Sequence, residues 1–278
     1  MLAGWSTLSQ AERDAAYNNN AAVADSAALI ERRNVQSAAF RGAHPCGLDV
    51  PYGPGPRQRW DLYPAKMPNA PCLVFIHGGY WQRNTREDFA CYAEGVLAHG
   101  WSAALPSHTL APDATLTQIV GEIGSALDWL ATKGLHHGIA GGPIVVSGWS
   151  AGGHLAVMAL GHPRIAAGLA ISGVFELAPL RDTYLDEKLR LTDREISTLS
   201  PLRLPAVAKP LAISYGTAEL SALVADSRDL HAQRAAAQAP GPLIPILGAD
   251  HFTILEELRR PNGRLVRAAM ELGEELGR

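Results

Sequence analysis

From Arg59 onward the chain alternates between short apolar runs rich in Val, Ile and Leu, longer stretches with helical periodicity, and turn residues. This alternation constrains the fold more than any other feature. Strands joined by helical crossovers make βαβ units, and these give a largely parallel sheet with helices on its faces. The strand candidates are 58–63, 72–76, 101–105, 144–147, 169–172, 211–215 and 243–247. Several are apolar at every position, as strands buried on both faces must be. Helical patterns separate them at 116–132, 151–160, 222–238 and 263–276.

Two further regions flank or interrupt this pattern. Ser9 and Glu12 form a capping box ahead of a helix over 11–17, which Asn18-Asn19-Asn20 ends, and a second helix is expected over 26–40. A Gly- and Pro-rich stretch, 47–56, then leads into the main body, so residues 1–45 read as an N-terminal helical appendage. Residues 175–205 carry many charges and no clear strand. An insertion of this kind in an α/β sheet commonly caps the ligand crevice, and that is its expected role here. At 278 residues the chain can bury one large core, and a single domain over 1–278 is the expected organisation.

Composition narrows the functional classes. With 47% hydrophobic and 18% charged residues the chain is a packed globular protein. Its formal charge of -3 and scattered Lys and Arg leave no footprint for nucleic acid or an anionic membrane, so a small, mostly uncharged substrate is expected. Three cysteines, Cys46, Cys72 and Cys91, form no CxxC pair, and no His cluster has zinc spacing, so neither metal nor cofactor is implied. The N-terminus lacks a basic start before an apolar stretch, and no segment approaches the roughly 18 apolar residues of a membrane span. A soluble cytoplasmic protein is therefore expected, and a homodimer is compatible with these features.

The chemistry concentrates at Gly148-Trp149-Ser150-Ala151-Gly152. A G-x-S-x-G pattern is short, so its setting decides its value. This one follows the strand at 144–147 and opens the helix at 151–160, which is the setting of a nucleophile elbow. Ser150 would sit on a tight, strained turn with its hydroxyl at a helix N-terminus, and the glycines would let strand and helix backbones approach. A helix-capping serine is the bland alternative. Ser147, Ser172 and Ser214 are the rival serines, and each reads as a strand residue or strand end.

After the strand at 72–76 comes His77-Gly78-Gly79-Tyr80-Trp81. A glycine pair there can aim backbone N–H groups at a tetrahedral intermediate, together with the N–H of Ala151, the residue after the serine. Gly79 and Tyr80 are the leading donors, followed by Gly78. His77 is expected to order this loop rather than to act as a base. Tyr80, Trp81, Trp149 and Phe252 are candidate walls of a substrate pocket, with core packing as the alternative for each aromatic.

A base following the serine in chain order has four candidates, His154, His162, His231 and His251. The first three ride on or beside helices. His251 lies in the loop after the last strand, ahead of a helix that Thr253 and Glu256 would cap, and can reach across the carboxyl ends of the strands. The acid should follow the preceding strand, where Gly216-Thr217-Ala218-Glu219 stands, so Glu219 is the choice. Asp226 and Asp229 are runners-up on a helical pattern, and Asp250 adjoins the base.

These residues resemble the α/β hydrolases related to kynurenine formamidase and the hormone-sensitive-lipase-like esterases. The resemblance rests on His77-Gly78-Gly79-Tyr80-Trp81, Gly148-Trp149-Ser150-Ala151-Gly152-Gly153-His154, Tyr17-Asn18-Asn19, Leu199-Ser200-Pro201-Leu202 and His251-Phe252-Thr253. It implies hydrolysis of N-formylkynurenine or of small carboxylic esters through an acyl-serine, with no metal. Glu219 departs from the Asp that many relatives carry. A non-catalytic binding module on the same fold, and an acyltransferase or perhydrolase using the same residues, are the competing readings.

Overall fold

Each of the apolar runs becomes a strand of one eight-stranded sheet in the computed structural model, which describes residues 4–45, 47–139 and 141–274. The strands are β1 (Val50–Pro51), β2 (Arg59–Tyr63), β3 (Cys72–Ile76), β4 (Ser102–Pro106), β5 (Ile144–Trp149), β6 (Ile165–Ile171), β7 (Leu211–Gly216) and β8 (Leu243–Ile246). Their order is β1-β2-β4-β3-β5-β6-β7-β8. The pairings β1 with β2 and β2 with β4 are antiparallel, and all the others are parallel.

Two departures from the sequence expectation have physical causes. β1 is two residues long inside a Gly- and Pro-rich stretch, where no alternation can show. β6 begins four residues earlier than expected, through Ile165-Ala166-Ala167-Gly168. Small residues are required there: a Cβ on Gly168 would stand 2.7 Å from the Leu211 side chain of the neighbouring strand.

Period-two alternation sorts the strand residues into two cores. Cys72, Val74 and Ile76 face one side, with the helices Leu116–Lys133, Ala151–Ala159 and Ser221–Ala236. Leu73 and Phe75 face the other, with the 3₁₀ helix Arg86–Ala93, the helix Glu94–Leu97 and the helix Arg264–Glu274. The segment 86–97 carried no apolar stripe that would have marked it as helical in advance. The end of the expected helix 263–276 lies outside the described residues.

The N-terminal appendage is tied to this body. The capping box forms on the helix Gln10–Ala15, and Asn18, instead of only ending that helix, caps a second short one, Asn19–Ala22. The long helix Ser26–Ala43 is then pinned along its C-terminal half. Ser37 Oγ donates to Asp88 O, and Arg41 Nε donates to the fully buried Asp61 carboxylate of β2 at 2.7 Å. Residues 175–205 form short helical turns. Leu177, Leu180, Leu185 and Ile196 enter the first core, and the Thr117 backbone N–H is bound to Glu195. No helix among the described residues is long and apolar enough to cross a membrane.

Candidate active site

Strand order fixes where a site can form. From β3 the chain moves to β4 on one side, whereas from β5 it moves to β6 on the other. The loops leaving β3 and β5 therefore part above the carboxyl ends of adjacent strands and open a crevice between them. The His77 loop and Ser150 are the residues placed there.

Ser150 has φ 59° and ψ -122°, a strained conformation for a residue with a side chain. The turn is possible only because its flanks are bare. A Cβ on Gly148 would collide with the backbone of Gly152, and one on Gly152 would collide with the carbonyl of Ile76. Gly78 is equally constrained from the other loop, where a Cβ would lie 2.9 Å from Cβ of Ser150. Ser150 thus projects at the first turn of the helix Ala151–Ala159, against the glycine loop.

His251 lies beside it in the same cleft. Its Nδ1 is 2.9 Å from Glu219 Oε2, and both side chains are buried. The other oxygen, Oε1, accepts from the Gly216 N–H and from Ser172 Oγ, each at 2.6 Å. Ser172, one of the rival serines, holds this carboxylate, a role that no local motif announces. The other rivals are within the sheet, where Ser214 Oγ donates to Ile244 O. The Trp149 ring packs on the His251 ring with centroids 4.6 Å apart, and its Nε1 donates to His251 O at 2.7 Å. The imidazole is therefore fixed from its edge, its face and its backbone.

The remaining candidates have other duties. His77 is buried, bonds through Nδ1 to Gly78 O and stacks on His108 with centroids 4.7 Å apart. Burial, with His108 adding to it, holds its imidazole well below the usual range, so it is a neutral prop for the loop. His154 is bonded to Leu199 O, and burial brings it down to about 4. His162 sits beside Asp128, and His231 on the helix Ser221–Ala236. Asp226 accepts from the N–H groups of Phe175 and Glu176, anchoring the start of the 175–205 segment; Asp229 lies on the same helix. Asp250 accepts from the N–H groups of Phe252 and Thr253, so Asp250, and not Thr253 with Glu256, caps the turn after the base.

Of the expected pocket walls, Tyr80, Trp149 and Phe252 line the cleft. Trp81 does not: it is 1% exposed and packs edge-on against His154 in the core. Gly79, Tyr80 and Trp81 all have positive φ, which folds the loop sharply after Gly78. Among the described residues, no acceptor is bonded to the backbone N–H of Gly79, Tyr80 or Ala151.

The opposite wall comes from the N-terminal segment, through Asn19, Asn20, Ile30 and Arg33. Tyr80 joins the two walls, since its hydroxyl donates to Tyr17 O at 2.7 Å and accepts from Asn19 Nδ2 at 3.1 Å. Arg33 was not anticipated from the sequence, nor was rim residue Arg83. Among the described residues, none from 175–205 borders this cleft, a narrow one of about 40 Å³. A larger groove, about 760 Å³, opens at the amino ends of the parallel strands beside Tyr63 and Trp101, away from this chemistry.

Comparison with known proteins gives concordant results. A family model described as BD-FAE matches residues 61–164, which include both glycine motifs. A kynurenine formamidase of Danio rerio is 26% identical over 244 residues, covering 81% of each chain. Among solved structures, one from Silicibacter sp. TM1040, provisionally described as a thioesterase, is 29% identical with a TM-score of 0.82, covering 93% of this chain and 99% of the other. Esterase B of Lactobacillus rhamnosis shares the fold, with a TM-score of 0.70 at 19% identity, covering 95% and 97%.

Proposed function

We propose that this chain, an α/β hydrolase of the arylformamidase- and esterase-like group, cleaves small carboxylic esters and aryl formamides by double displacement on Ser150. One observation carries the reading: the His251–Glu219 pair, 2.9 Å apart, shares a cleft with a serine held at positive φ on a strand-to-helix turn.

The chemistry follows from that arrangement. With Nδ1–H directed at Glu219, His251 presents Nε2 as the base. Ser150 Oγ attacks the substrate carbonyl while His251 takes its proton. The oxyanion that forms has four N–H groups as candidate donors, those of Gly78, Gly79, Tyr80 and Ala151. Collapse breaks the bond to the alkoxide or amine, which leaves with the proton from His251. Water, deprotonated by His251, then attacks the acyl-serine and releases the acid and free Ser150. Glu219 orients the imidazole and stabilises its protonated form. The N-terminal segment forms the second wall of the crevice, and residues 175–205 brace that segment from outside the cleft, where Asp182 accepts from Trp5 Nε1 and Asp14 accepts from the Tyr184 N–H.

The Danio rerio relative's name and the aromatic surfaces of Trp149 and Phe252 support an aryl formamide, N-formylkynurenine, as the preferred substrate. The test is a parallel measurement of kcat/KM on N-formylkynurenine and p-nitrophenyl acetate, with Ser150→Ala as control. A higher value for the formamide is expected. A higher value for the ester would make the enzyme an esterase, and activity retained by Ser150→Ala would remove the mechanism.

A further inference from the structure

Among the described residues three arginines are buried to 6% exposure or less: Arg33, Arg86 and Arg234. Arg86 is paired with the carboxylate of Asp61, and Arg234 is spent on the carbonyls of Val207, Lys209 and Pro240. Arg33 differs. Its Nε and Nη2 share one neutral acceptor, the amide oxygen of Asn34, and among the described residues it has no carboxylate within ion-pair distance. Asp88 acts on it only through space, and Asp88 is itself bonded to the Thr85 N–H. A guanidinium taken out of water without an anion is costly, and such a charge is retained where something compensates it.

The position of Arg33 indicates what that something is. It lines the Ser150 cleft and also the adjoining lobe, where Trp149 and Phe252 recur and Glu256 is the acid present. Its Cζ lies 4.1 Å over the Phe89 ring, Phe89 packs on Trp149 at 5.7 Å, and Trp149 packs on His251. This aromatic chain links the cation, on the N-terminal wall, to His251 across the cleft. The cleft lining holds a second cation, Arg83 at the exposed rim, and no Asp or Glu.

We infer that Arg33 is the anion-recognition residue of this cleft, the group that seats the carboxylate carried on the leaving group of the preferred substrate. The inference rests on Ser150 being the nucleophile. Arg33 is a specificity-determining residue: the helix Ser26–Ala43, pinned through Ser37 and Arg41, holds its guanidinium in place, and a planar donor fork suits a carboxylate. Arg83 contributes a screened, long-range attraction.

The test uses substrates differing in one charge: N-formylkynurenine and its carboxamide, and the acetate esters of para-hydroxyphenylpropanoate and para-hydroxyphenylpropanamide. The ester pair keeps the test valid if formamides are poor substrates. For each enzyme the readout is the ratio of kcat/KM for the carboxylate member to that for the carboxamide member, which cancels any loss of folded protein. Wild type is expected to favour the carboxylate member. Arg33→Met should lower the ratio about 10- to 100-fold, mainly through KM, the scale of a hydrogen bond to a charged group. Arg33→Lys should recover part of it. Arg83→Ala should lower it only a few-fold, and only at low salt. A wild-type preference for the carboxamide members, or a ratio unchanged in Arg33→Met, would overturn the inference while leaving the serine mechanism standing. If no member is turned over by wild type, the hydrolase mechanism itself fails.

Discussion

The two walls of the Ser150 cleft are built by different means. One consists of strand ends and the tight turns that follow them, where Gly148, Gly152 and Gly78 leave no room for a side chain and Ser150 is forced to positive φ. The other is an appended segment that reaches the cleft through long-range contacts, Tyr80 with Tyr17 and Asn19, and Arg41 with Asp61. On the proposed mechanism the first wall carries the reacting groups, and the second carries Arg33. Reactivity would then be held by backbone geometry that tolerates no change, and specificity by docking that can vary without disturbing the sheet.

This contrast can be broken or sharpened by substitution. On the first wall, Glu219→Ala should lower kcat about 10⁴-fold, the scale for losing the group that orients a catalytic histidine, with KM changed little. A loss below about ten-fold would mean that His251 is held by Trp149 and its own loop. At the junction, Tyr80→Phe removes the hydroxyl that joins the walls. It should cost about 1–2 kcal/mol of stability in chemical denaturation and raise KM severalfold, with kcat within about three-fold. A fall in kcat as large as that of Glu219→Ala would place the hydroxyl on the reacting side.

The smallest effect on rate is expected at Asp226, seven positions from Glu219. Burial, with Glu176 adding to it, raises the Asp226 carboxyl to about 7, against the N–H groups of Phe175 and Glu176 that favour its ionised form. The folded protein therefore holds a proton that the unfolded chain releases near pH 4. The stability from this group is full below that pH, declines as pH rises towards 7, and changes little beyond. Asp226→Asn keeps an acceptor for the two N–H groups and cannot ionise, so its melting temperature should gain on that of wild type between pH 5 and pH 7. A constant offset across that range would show that Asp226 is ionised throughout, and kcat should stay within about two-fold.

The same division governs what the sequence reveals. Ser150, the glycine loop and the His251 and Glu219 order are legible because each is a local pattern at the end of a periodic strand. Trp81 and Trp149 show the limit: both flank the glycine motifs in sequence, yet the turn at Gly79 to Trp81 sends Trp81 into the core against His154, while Trp149 faces the base. Arg33 reads as one charge on a helical stretch, since only the docking of that helix reveals which face is buried. Ser172 is silent for a similar reason, because its partner Glu219 lies 47 residues away.

The most direct test of the central claim is active-site titration with a p-nitrophenyl phosphonate ester, followed by peptide mass analysis. The account expects one equivalent of p-nitrophenolate per chain, the phosphonyl group on Ser150, and no reaction of Ser150→Ala. Phosphonylation at another residue, or an undiminished burst in Ser150→Ala, would contradict it.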